Sequence, residues 1–98
     1  MNARFALDGM FTLTGRGLVL TGQIAEGVIR IGDRVQLPIG GRERLTRITG
    51  VEMGHRRTLD GSPGGFVGLV LGELAADEIP SVRATLSPGQ VLQIEVAN

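Results

Sequence analysis

Few residues in this chain could do chemistry. The only histidine, His55, stands in Gly54-His55-Arg56-Arg57 with no second His or Cys nearby, so it does not read as a metal ligand. A Ser-His-Asp set could be drawn from Ser62 or Ser81, His55 and Asp60, but no nucleophile elbow accompanies it. All ten basic residues are Arg and none is Lys, so the phosphate-cradling loop that ends in Gly-Lys-Ser/Thr cannot be built here. There is no Cys, which rules out disulfides, thiolate-bound zinc and thiol catalysis within the chain. The expectation is a protein without enzymatic activity, cofactor or metal.

What remains is recognition chemistry. Arg forks grip phosphate or carboxylate in pairs of hydrogen bonds. Nine of the ten Arg lie in residues 1–57 against five acids, while residues 58–98 hold one Arg against five acids. The net charge is zero, so the first half is basic and the second acidic. Domains that bind nucleic acid by charge alone are usually basic overall, so scattered solvated charge is the plainer reading of this layout.

The elements that must position these residues read as strands. Arg34 to Ile39 alternates, with Val35, Leu37 and Ile39 on one face; Gln90 to Val96 does the same with Leu92, Ile94 and Val96. Pro38 implies that its strand ends there or runs at an edge. The runs Gly17–Ile24 and Phe66–Leu71 are more continuously apolar and read as central strands. In Glu43–Met53, Leu45, Val51 and Met53 share parity and Ile48 opposes them, which predicts a bulge near Thr46-Arg47 or a bend at Gly50. Turns are expected at Gly15-Arg16-Gly17, Gly32-Asp33, Gly40-Gly41, Asp60–Gly65 and Ser87-Pro88-Gly89. Glu73–Ser81 could form one helical turn ended by Pro80. With 98 residues, three aromatics and sixteen glycines, the chain reads as one domain, 1–98, around an aliphatic core. Neither a membrane span nor a signal peptide is visible, so a cytoplasmic protein is expected.

Four blocks, in order, carry a resemblance. Phe11-Thr12-Leu13-Thr14-Gly15-Arg16-Gly17 continues through Thr21-Gly22-Gln23 to Gly32-Asp33-Arg34-Val35. Thr49-Gly50-Val51-Glu52-Met53 follows, then Leu59–Gly61 through Gly65–Leu69, then Pro88-Gly89-Gln90-Val91-Leu92. Together they resemble domain 2 of elongation factor Tu and its relatives over nearly the whole chain. The resemblance implies an all-β fold: a closed antiparallel barrel of six to seven strands with Greek-key connections. It also implies a stand-alone copy of the barrel, lacking the GTPase domain that does the family's chemistry.

By the same resemblance, Glu52 matches the glutamate that lies against the terminal adenine of tRNA, and Arg16 the arginine near the tRNA- and ribosome-facing end. These two are the main RNA-facing candidates, with His55, Arg56 and Arg57 as further cationic candidates. The implied partners are tRNA, the ribosome or a separate GTPase. The chain departs from the family at Gln23, Phe66 and Gly72, each replacing a polar or cationic residue, and Ala75–Ser87 is several residues longer. Two readings therefore stand. One is a translation-related RNA- or ribosome-binding module. The other is a protein-interaction or self-associating barrel that has lost the RNA site, with an apolar patch near Phe66 or Ile79-Pro80.

Overall fold

In a computed structural model the described residues are 2–57 and 63–97, with side chains described for all of these except 54–57 and 63–65. Seven strands and one short helix follow in order: β1 Asn2–Leu13, β2 Gly17–Glu26, β3 Arg34–Ile39, β4 Arg42–Arg47, β5 Gly50–Arg57, β6 Pro63–Leu71, α1 Ile79–Thr85 and β7 Val91–Glu95. They form one antiparallel sheet in the order β4-β3-β7-β1-β2-β6-β5. β2 and β6 are interior strands, as their continuous apolar runs predict. On β3, Val35, Leu37 and Ile39 are all buried, and on β7 Leu92 and Ile94 are buried. The core is aliphatic around Phe5, with Leu18, Leu20, Leu69, Leu71, Val82 and Ile94 among its most deeply buried members.

Long β1 bends over this core through two shifts of register against β2, between Arg4 and Phe5 and between Leu7 and Gly9. Such bulges curl a sheet. Gly22 sits in this bent stretch. A Cβ there would overlap the Ala6 carbonyl, lying 3.0 Å from its carbon, and would stand 3.1 Å from Cζ of buried Phe5. The threonine-glycine pair of the first motif block is thus a place where two backbones meet at closest approach.

The sheet does not close. β4 and β5, its two edges, have no ladder between them, which corrects the expected closed barrel to a curled half-barrel. The reason lies in Ile48-Thr49, the two residues joining these edges. Ile48 is fully buried, its N–H donates to the Asp33 carbonyl (2.8 Å) and its carbonyl accepts from Gly32 N–H (2.9 Å). Thr49 N–H donates to the Val70 carbonyl (2.8 Å). The link therefore binds β6 and the turn before β3 instead of folding into a hairpin. The strand break itself carries Ile48 into the core, where a bulge was expected. Beside this seam Glu73 and Glu78 form ion pairs with Arg47 and Arg44 of edge strand β4.

Three other expectations need correction. Pro80 opens α1 at its first turn, where a missing N–H costs nothing, instead of ending a helical turn. Pro38 does not end β3, which runs to Ile39 between β4 and β7; at Pro38 the ladder to β7 has already stopped, so its edge character is local, confined to that side. Pro63–Gly65 belong to β6, paired with Arg57–His55, so the expected Asp60–Gly65 loop is shorter; 58–62 lie outside the described residues. No described helix is long and apolar enough to cross a membrane.

Candidate functional site

Three distant stretches of chain meet at one end of the sheet. The β1–β2 turn brings Arg16, whose N–H donates to the Leu13 carbonyl (3.1 Å); glycines on both sides hold positive φ, 79° at Gly15 and 97° at Gly17. That left-handed pair is what a tight two-strand reversal asks of its residues. Thr49 just before β5, with Gly50 and Glu52 at its start, comes from the second stretch, and Gly72 and Glu73 just after β6 come from the third. Gly15, Arg16, Thr49, Val70, Gly72 and Glu73 line an open cleft of about 330 Å³, and Glu52 stands beside it.

The cleft is fastened by Thr49. Its hydroxyl donates to the Val70 carbonyl (3.2 Å) and accepts from Gly72 N–H (2.9 Å). A Cβ on Gly72 would lie 2.8 Å from that hydroxyl oxygen, so any larger residue would break the clasp. The Arg16 side chain lies over Gly50, with Nη2 3.5 Å from where a Cβ would stand, and its guanidinium forms an ion pair with Glu52. Both side chains are about half exposed, at 51% and 47%. Arg47 and Glu73 form a second pair at the seam, 3.5 Å apart. The charges around the cleft thus balance.

Arg16 and Glu52, the two main candidates from the sequence, are therefore partners. His55, Arg56 and Arg57 are not shown to join them. Their backbones continue along β5, and at roughly 3.3 Å per residue Arg56 lies some 13 Å from Glu52. Their side chains lie outside the described residues. Of the paper triad, Ser81 sits on α1 and accepts a long bond from Gly40 N–H (3.4 Å), while Asp60 and Ser62 lie outside the described residues. Among the described residues no group of three His, Asp or Glu could hold a metal ion.

Sequence reasoning missed Thr49 and Glu73 as parts of the cleft. Thr49 could have been suspected as a hydroxyl at a strand break just before a glycine. Phe11 is 43% exposed and pairs across the ladder with buried Val19, which neighbours Val70 in β6. Phe66 and Ile79 are half-buried and Pro80 is exposed; among the described residues the most exposed large apolar side chains are Val28, Ile31 and Met53, the last one rung from Phe66 on the β5–β6 ladder. Leu45 and Met53, read as core-facing, are exposed. No family model matches this chain.

Proposed function

We propose that this chain is a non-catalytic binding module of the translation-factor type, whose recognition surface is the Arg16–Glu52 cleft and whose ligand is tRNA or the ribosome. One observation carries the reading. The Gly15-Arg16-Gly17 turn and Thr49-Gly50-Val51-Glu52 come from separate blocks of the resemblance, and they meet where Arg16 and Thr49 line one cleft and Arg16 pairs with half-exposed Glu52. An Arg fork beside a carboxylate offers a phosphate donor and a base or ribose acceptor side by side.

The test is fluorescence anisotropy with end-labelled tRNA at low salt, together with ribosome pelleting. Wild type should bind one or both, and Arg16→Ala should weaken binding several-fold. No interaction with either at low salt, or binding indifferent to Arg16→Ala, would remove the reading.

Exposed Val28 (59%), Ile31 (62%) and Met53 (77%) favour the second reading, a protein-interaction or self-associating domain. A sedimentation coefficient that rises with concentration, or a stable complex with a separate GTPase, would support it.

A further inference from the structure

On the part of the sheet built by β3 and β7, away from the strands of the Arg16 cleft, the ladder comes apart. β3 and β7 pair only at Arg34↔Glu95 and Val35↔Ile94, although both strands run on past these pairs. The ladder already lacks its Gln36↔Gln93 rung, and why it cannot resume at the next bonded position, Pro38 opposite Val91, can be read from the hairpin. β3 and β4 are joined by a two-residue turn, Gly40-Gly41, with φ of 60° and 80°, the signature of a type I′ turn. Its flanking pair, Ile39↔Arg42, exchanges both hydrogen bonds, so at the next pair, Pro38↔Glu43, the backbone of Pro38 points the other way, toward β7. Pro38 has no N–H to offer there. On the other side Leu7 N–H donates to the Gln90 carbonyl (2.8 Å), which makes Ala6↔Val91 a non-bonded pair and turns the N–H and carbonyl of Val91 toward β3. Across the gap the Pro38 carbonyl and both backbone groups of Val91 thus face each other with no ladder partner.

The gap is an open cleft of about 320 Å³, within the range of ligand sites, lined by Gln36, Pro38, Glu43, Val91 and Gln93 among others. Glu43 is the only ionisable side chain in its lining, and none of the ion pairs among the described residues engages it. Gln36 and Gln93 add carboxamides that can both donate and accept. We propose that this cleft binds a short extended peptide carrying a basic residue. The peptide backbone donates to the Pro38 carbonyl and pairs with Val91, completing the broken ladder as an added strand. Its Lys or Arg meets Glu43. An acidic peptide finds no cation in the lining and is disfavoured. The site is independent of the proposed RNA reading and survives its failure.

The experiment is an amide NMR titration of the full chain with two blocked pentapeptides, Val-Lys-Val-Lys-Val and Val-Glu-Val-Glu-Val. The Lys peptide should cause saturable shifts at the amides of Gln36, Val91 and Gln93. An exposed ion pair is worth up to about fivefold in affinity, so the Glu peptide should bind a few-fold weaker, and Glu43→Gln should erase the difference. Pro38→Val restores the missing donor. It should let β3 and β7 pair further, slow hydrogen exchange at Val91, and reduce binding at least tenfold. Equal binding of both peptides, no shifts at these amides, or full binding by Pro38→Val would overturn the proposal. So would concentration-dependent shifts at the same amides without peptide, which would make a second copy the occupant. Should Pro38→Val fail to fold, the charge comparison with Glu43→Gln decides alone.

Discussion

Gly22→Ala should remove a large share of the stability of this domain. The added methyl would overlap the Ala6 carbonyl, and neither neighbour can move cheaply. Phe5, 3.1 Å from the new Cβ, is fully buried, and Ala6 is paired on both sides, to Gln23 of β2 and Val91 of β7. Relief requires β1 and β2 to part locally. Overpacking of this kind costs about 1–3 kcal/mol. Loosening the rungs at Ala6↔Gln23 and Leu7↔Gly22 adds about 1 kcal/mol for each hydrogen bond lost. The lower entropy of alanine in the unfolded chain returns about 0.4–1 kcal/mol. The net loss is about 3 kcal/mol, set against a total of about 5–15 kcal/mol for an ordinary domain. Gly9→Ala is the control, because a Cβ there meets only the Thr21 hydroxyl at 3.4 Å. Urea unfolding followed by circular dichroism should give a much lower midpoint for Gly22→Ala and a near-unchanged one for Gly9→Ala. A Gly22→Ala protein within about 1 kcal/mol of wild type would refute the close-approach argument, because overpacking alone costs at least that much.

Thr46 is buried with its hydroxyl unpartnered, so Thr46→Val should raise stability by about 1 kcal/mol in the same assay. Asp33 is 2% exposed and accepts from Arg30 N–H (2.8 Å) and Ala97 N–H (2.9 Å), tying the turn before β3 to the chain after β7; Asp33→Ala should cost about 2–4 kcal/mol, and Asp33→Asn less. The Arg44 side chain, helped by Ala75 N–H, holds the Glu78 carboxyl below its ordinary value of 4.5. A lowered carboxyl stabilises fully above that ordinary value and loses its contribution as pH falls through the lowered one. Stability should therefore decline with acid below about pH 5, and Glu78→Gln should flatten that decline in unfolding curves taken from pH 6 to 3.

How far the fold was legible depends on how local each feature is. β3 and β7 announce themselves because alternation along a strand needs no partner to be seen, and Gly40-Gly41 marks its turn because both residues take positive φ. Pro38 could be seen but not interpreted. Whether a missing N–H breaks a ladder depends on which neighbour it faces, and that follows from the turn two residues later. The seam was illegible for the same reason. Ile48 alone could be a bulge, a bend or a link, and only the destinations of its backbone groups, Asp33 and Gly32, separate these. Pro80 was misread because a proline ends one helix and starts another with equal ease, and only the buried position of Val82, two residues on, selects the second. At the site, the pairing of Arg16 with Glu52 lies thirty-six positions apart in the chain and reached the sequence reading only as a shared resemblance.

That pairing limits how the proposed RNA site can work. An Arg fork already closed on a carboxylate is not a free cation, so a phosphate must take the place of Glu52. Both side chains are about half exposed, and exposed ion pairs are worth only about 0.2–1 kcal/mol, so the exchange is cheap. The displaced Glu52 is then free to accept from a ribose hydroxyl or a base edge, and both groups are used at once only by a ligand that carries a phosphate and a sugar or base together. The charge balance of the cleft also forbids a large release of counterions. With one phosphate held by Arg16, the logarithmic slope of affinity against salt should be about −0.7, the single-strand value per phosphate. A slope several times steeper would mean that the RNA contacts a run of cations elsewhere on the surface, and the Arg16–Glu52 cleft would then not be where it binds.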